Sequence, residues 1–93
     1  MKLRVQYTAQ LRTAVGRPED EVDLPVGSNL AGLIDQLSQR LDGVASRLIA
    51  PAGRLDRNLL VVVNGHAIAW PDALATELQD GDVVLLLPPI AGG

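Results

Sequence analysis

Only one stretch of this chain keeps a helical period over three turns. Gly27-Ser28-Asn29 opens it, with Ser28 or Asn29 placed to accept a hydrogen bond from a backbone N–H that has no partner inside the helix. Leu30, Leu33, Ile34, Leu37 and Leu41 follow at spacings of three and four, while Asp35, Gln36, Gln39 and Arg40 fall on the other face. Gly43 reads as the stop, which gives about 13 residues or ~20 Å of helix. A single helix with one apolar stripe cannot cover that stripe by itself. A sheet is the only partner large enough for the rest of the chain to supply.

The strands are written on both sides of the helix. Leu3, Val5 and Tyr7 alternate with Lys2, Arg4 and Gln6, and Val22, Leu24 and Val26 alternate with Glu21, Asp23 and Pro25. Period two with one polar face predicts two half-buried strands. They are joined by a wide connection, in which Leu11, Val15 and Gly16 suggest a short helical turn and Arg17-Pro18-Glu19-Asp20 a reverse turn. Beyond the helix, Val44, Leu48 and Ile49 suggest one further turn, closed by Pro51-Ala52-Gly53. Leu59-Leu60-Val61-Val62-Val63 and Val83-Val84-Leu85-Leu86-Leu87 are continuous apolar runs of strand length. Asn64-Gly65 predicts a tight hairpin after the first run, with a short return strand through Ala67 and Ile68. Pro71 and Asp72 break that strand, Leu74 and Leu78 can dock a short turn, and Asp80-Gly81-Asp82 is a tight turn into the last strand. The order is strand, strand, helix, strand, short strand, strand. It predicts an α+β fold, a mixed sheet of four to five strands with the main helix across one face. Residues 1–87 form that domain, and residues 88–93 form a flexible tail.

Composition narrows the function. A hydrophobic share of 47% fits a globular chain, and a net charge of −3 argues against nucleic acid, which needs a basic face. There is no cysteine, so disulfides, thiolate metal sites and a cysteine nucleophile are excluded. The alternating start is unlike a signal peptide, and the apolar runs are far shorter than the ~20 residues of a membrane helix, so a cytoplasmic protein with no membrane partner is expected. All the basic residues lie at or before Arg57. Residues 58–93 carry Asp72, Glu77, Asp80 and Asp82 with no base. This acidic end is read as a solvated rim or as a surface suited to a basic partner.

The body of the chain offers no active site. His66 is the only histidine and falls at a predicted hairpin tip, too little for a triad or a metal site. Glu19, Asp20, Glu21 and Asp23 read as a solvated sheet edge that discourages pairing with other sheets. Trp70, before Pro71, reads as a residue of the core margin. No metal site and no permanently bound cofactor are expected.

The tail differs. Pro88-Pro89-Ile90-Ala91-Gly92-Gly93 ends in two residues without a Cβ, a thread thin enough for a narrow channel. Fully extended it reaches about 20 Å. Its terminal carboxylate is ionised at neutral pH and can attack the α-phosphorus of ATP, giving an acyl-adenylate that then accepts sulfur or an amine. The two prolines stiffen the root and reduce the ordering cost, which is about 1–2 kcal/mol per residue for free backbone.

The last strand with its Pro-Pro-x-x-Gly-Gly ending, preceded by Asp80-Gly81-Asp82, resembles the MoaD/ThiS family of ubiquitin-like sulfur carriers. Val5-Gln6-Tyr7-Thr8-Ala9-Gln10-Leu11-Arg12 with Gly16, and Val62-Val63-Asn64, are similar to the family's first strand and third-strand ending. The resemblance spans essentially the whole chain and implies a β-grasp fold. It implies that an ATP-using, ubiquitin-activating-type adenylyltransferase (MoeB/ThiF-like) activates Gly93, and that sulfur transfer leaves a thiocarboxylate there. Gly92 would be the slim neighbour, and Ala91, Ile90, Pro89 and Pro88 would line the partner's channel. The ending is more typical of the small subunit of molybdopterin synthase, which implies the large subunit as sulfur acceptor. The stretch from Ser46 to Arg57 looks more like carriers that serve cysteine biosynthesis, and the thiamine branch is a further alternative. On every one of these readings the chain is a co-substrate or small subunit and not an enzyme. A protein modifier joined through Gly93 and a plain interaction domain with an idle tail are the competing classes.

Finally, the two continuous runs are apolar at both parities. The helix covers one face of the sheet, so the other should carry apolar side chains, either docking a partner or covered by the loops around Leu55 and Trp70.

Overall fold

The structure is a computed structural model that describes residues 1–41, 43, 47, 49, 59–68 and 72–88. Five strands form one mixed sheet: β1 (Lys2–Tyr7), β2 (Glu19–Asp23), β3 (Leu60–Val63), β4 (His66–Ala67) and β5 (Val83–Leu87). Their order is β2-β1-β5-β3-β4, with β1 and β5 parallel at the centre and every other pair antiparallel. Among the described residues, α1 (Ala9–Val15) and α2 (Leu30–Arg40) accompany them, and Gly43, Arg47 and Ile49 are helical as well.

The helix α2 starts where its cap residue predicts. Asn29 is extended, and its Oδ1 accepts a hydrogen bond from the Gly32 N–H at 3.0 Å. The buried stripe is Leu30, Leu33, Ile34 and Leu37, and it packs on Leu3, Val5, Val22, Val61, Val84 and Leu86 from the inner face of the sheet. The helix is shorter than its periodicity suggests. It ends at Arg40 with Leu41 as C-cap in an extended conformation, ahead of Gly43. Leu41 stays buried, so the apolar stripe outlasts the helix by one residue. Ile49 is helical and fully buried, while Val44, Leu48, Leu55 and Trp70 lie outside the described residues.

The wide connection between β1 and β2 is α1, held by buried Leu11. Gly16 caps it with φ 87°, where a residue with a Cβ would be strained, and its N–H returns to the Arg12 carbonyl. Thr8 precedes α1 and leaves the helix start uncapped. Its hydroxyl donates instead to the Leu86 carbonyl at 3.0 Å and ties α1 to β5. Asn64 and Gly65, at φ 50° and 84°, make the tight turn from β3 to β4. The return strand stops at Ala67, although the Ile68 N–H still donates to the Val61 carbonyl. Asp72–Ala75 is a short 3-10 turn whose Leu74 is exposed rather than docked, while Leu78 just beyond it is fully buried.

Two turns at one end of the sheet lock together. Asn64 donates through Nδ2 to Asp82 at 2.8 Å and accepts at Oδ1 from the Val83 N–H at 2.9 Å. Asp82 also accepts from the Gln79 N–H, and Asp80 accepts from the Lys2 N–H at 2.7 Å. These bonds fix where β5 begins and hence its register against both β1 and β3.

Candidate functional site

β5 places the root of the tail. It lies between β1 and β3, is paired on both sides and ends at Leu87. Pro88 follows and is buried. A proline there costs the ladder no bond it could have made and ends the strand. Of the six tail residues only Pro88 is described. Pro89, Ile90, Ala91, Gly92 and Gly93 lie outside the described residues.

The register determines which side chains stand on the face opposite α2. One row across the sheet reads Glu19, Gln6, Leu85, Val62, Ala67. Its neighbours are Glu21, Arg4 and Val83 on one side, and Leu87 beside Leu60 on the other. The face is therefore divided. The β2–β1 half is charged, with Arg4 3.0 Å from Glu19 and Lys2 3.6 Å from Glu21. The β5–β3 half is apolar, formed by Val83, Leu85, Leu87, Leu60 and Val62, with Leu60 41% exposed and the other four half-buried. Leu87 and Leu60 lie at the end from which the tail departs. The sequence shows that these runs are apolar at both parities but not which residues face out, because alternation is the only cue to facing and here it is absent.

The acidic strand β2 is an edge strand, as its sequence suggests, but it starts earlier and stops earlier than the alternation implies: Glu19 and Asp20 are strand and not reverse turn, Val26 is exposed, and Asp20 departs from the solvated reading. It pairs with Val5 on the helix side, and its side chain is 14% exposed. It accepts from Arg17 Nε at 2.6 Å, from Arg17 Nη2 at 2.7 Å and from the Tyr7 hydroxyl at 2.8 Å. The Arg17 bonds, joined by that from Tyr7, hold the Asp20 carboxyl below the usual carboxylate range. Burial, then the bond to Asp20, pushes the Tyr7 hydroxyl far above the ordinary tyrosine value. The raised group sets the sign of the alkaline response. Its stabilising contribution is complete below the ordinary value near 10 and is lost as the pH rises above that, because the unfolded chain ionises first. We predict constant stability from pH 6 to 9 and a fall above about 10 that Tyr7→Phe abolishes, at a cost of about 1.5 kcal/mol at neutral pH. This is the only tyrosine, so phenolate absorbance reads it alone. A midpoint in the folded state near the ordinary value would refute this account.

His66 is exposed beside the turn, and among the described residues no group of three or more His, Asp or Glu is arranged to hold a metal ion. No described helix is long and apolar enough to cross a membrane. What the geometry presents is a divided sheet face with an apolar half beside the root of a slender chain end.

A five-strand mixed sheet gripping one main helix, with parallel central strands and a chain end leaving from one of them, defines the ubiquitin-like β-grasp class. The ThiS family model matches residues 5–93. Small archaeal modifier protein 3 of Haloferax volcanii is 32% identical over the full length of both chains. The sulfur carrier protein CysO of Mycobacterium tuberculosis is 36% identical over 69 residues, 72% of this chain and 74% of that protein. The molybdopterin synthase sulfur carrier subunit of the same species is 29% identical over all of this chain and 99% of that protein. Among solved structures, SAMP1 from Haloferax volcanii superposes with a TM-score of 0.83 at 26% identity over the whole of both chains. CysO in the Amycolatopsis orientalis BexX/CysO complex is matched at a TM-score of 0.69 and 32% identity over 98% of this chain and 99% of that one. The chain belongs to the ThiS/MoaD family of ubiquitin-like sulfur carriers and modifiers.

Proposed function

We propose that this chain carries sulfur on its own terminal carboxylate. Gly93 is adenylated with ATP by a partner of the ubiquitin-activating type, and sulfur then displaces AMP to leave a thiocarboxylate. The observation that carries this reading is the slender Pro-Pro-x-x-Gly-Gly end on a β-grasp body. The divided sheet face supports it. The apolar half beside the tail root docks the partner, and the tail, with Pro88, Pro89, Ile90, Ala91 and Gly92 leading to Gly93, enters the partner's site. The body supplies binding and placement, and the partner supplies the catalytic groups.

The acceptor we assign is the large subunit of molybdopterin synthase. The full-length similarity to a molybdopterin synthase sulfur carrier subunit and the form of the ending support it. The higher identity to CysO supports a second reading, in which the same thiocarboxylate serves cysteine formation. The full-length match to a small archaeal modifier protein supports joining of Gly93 to amines of other proteins.

The test is incubation with ATP, the adenylating enzyme of the same organism and a sulfur donor. Intact mass is expected to rise by the difference between one sulfur and one oxygen, with the change confined to the C-terminal peptide. Offering the charged chain to a molybdopterin synthase large subunit and to a cysteine synthase then separates the two acceptors. A mass that stays unchanged while the enzyme charges another carrier would overturn the proposal.

A further inference from the structure

The sequence contains a single lysine, Lys2, and seven arginines, whose guanidinium groups stay protonated and do not act as nucleophiles. The other amine is the Met1 ammonium. It donates to the Leu24 carbonyl at 2.8 Å, lies 3.4 Å from Asp23, and belongs to a residue whose side chain is 2% exposed. Lys2 is the opposite case. Its backbone is pinned on both sides, the N–H donating to Asp80 and the carbonyl accepting from the Gly81 N–H at 2.8 Å. Its side chain is 72% exposed and its Nζ stands 3.6 Å from Glu21, a loose surface pair. It opens onto a shallow cleft of about 320 Å³ with Arg4, Glu21, Gly81 and Val83, room enough for a pair of glycines.

We propose that Lys2 is the amine through which activated copies of this chain are joined to one another. This deepens the preceding reading and rests on Gly93 being an activated acyl donor. The Lys2 ammonium first gives up a proton. The free amine attacks the carbonyl carbon of a second copy's Gly93 adenylate. A C–N bond forms, the bond from that carbon to the phosphate oxygen breaks, AMP leaves, and the amine's surplus proton passes to solvent. The product is an isopeptide, and the energy comes from the ATP used to form the adenylate.

The topology favours a joint between copies over closure of one copy. Arg4 is level with Val83 on the parallel strand, so Lys2 stands at the start of β5 while the tail leaves from its end. Six residues of strand rise separate Lys2 from Leu87, about 20 Å. The tail would have to run back along the sheet fully extended to span it. Acceptor and donor ends on opposite sides of the body make a head-to-tail contact that does not close on itself.

The test uses the full chain with ATP, magnesium and the adenylating enzyme of the same organism, with pyrophosphate exchange measured alongside. Wild type should give a species of two chains less one water. Trypsin should leave residues 58–93 attached through Gly93 to Lys2, because no Lys or Arg follows Arg57. Lys2→Arg keeps the charge and should exchange pyrophosphate at the wild-type rate while losing the two-chain species. A two-chain species formed equally well by K2R, or a branch mapped to Met1, overturns the assignment of Lys2. A product of one chain's size, lighter by one water, overturns the joint between copies. Exchange without any joined product in wild type overturns the proposal and leaves the activated glycine standing. Absence of exchange overturns both.

Discussion

A chain shortened by Gly92 and Gly93 is expected to form neither adenylate nor thiocarboxylate, yet to unfold within about 1 °C of the full chain. The prediction separates the part that carries the chemistry from the part that folds. Among the described residues the buried hydrophobic core ends at Leu86, and the buried Pro88 follows it, both ahead of the two residues removed. The shortened chain still ends in a carboxylate, now on Ala91. Its reactivity toward ATP is unchanged in kind, so chemistry alone would let it react. It fails because it falls short of the nucleotide by two residues, roughly 7 Å, in a reaction where a misplacement of about 1 Å can cost a hundredfold. Gly92→Val tests the thinness of the thread separately, since it keeps length and carboxylate and adds only a branched side chain. It should lower the rate of pyrophosphate exchange by at least tenfold. Adenylate and thiocarboxylate formed on Ala91 at the rate of the full chain would overturn the assignment of the chemistry to Gly93 and show that Gly92 and Gly93 are not needed to reach the nucleotide.

How far the sequence reveals this arrangement depends on which physical cue each element carries. The helix α2 is legible because its stripe, its Asn29 cap and its polar face agree. Its end is not. Leu41 continues the apolar period although its backbone is already extended, because a side chain can reach the core from either conformation. The Asn64-Gly65 hairpin is legible because few residue pairs accept two positive φ values in succession. The strand β2 was legible as an acidic edge, but the role of Asp20 was not. Tyr7 and Arg17 come to it only through the β1–β2 register, which sets Asp20 beside Val5. The candidate site divides in the same way. The tail is visible in the sequence as composition, since two terminal glycines after two prolines need no fold to be recognised. The docking half of the sheet is hidden, because an unbroken apolar run carries no sign of facing. The bonds that set the facing run from Asn64 to Asp82 and Val83, across 18 and 19 residues of sequence.

That hidden facing makes two adjacent leucines the most discriminating pair in the molecule. Leu86 is fully buried on the helix side, and Leu85 is half-buried on the open side between Gln6 and Val62. Leu86→Ala should cost about 2–5 kcal/mol of stability, by lost transfer energy and by the cavity left among close-packed neighbours. A domain of this size has about 5–14 kcal/mol in all, so the variant will unfold at a visibly lower denaturant midpoint, and its binding is measured at a low temperature where circular dichroism shows it folded. Once folded it should bind the adenylating enzyme with wild-type affinity, because nothing on the open face has changed. Leu85→Asp should do the reverse. The carboxylate can hydrate in the free protein, so stability should fall by only about 1 kcal/mol. In the complex the same group would be buried against apolar surface with no cation supplied for it, and the dissociation constant should rise by about 100-fold or more. Denaturation midpoints and binding titrations on the two variants therefore cross. If Leu85→Asp binds as wild type does, the partner does not dock on the apolar half of this sheet. The tail must then be presented from another surface.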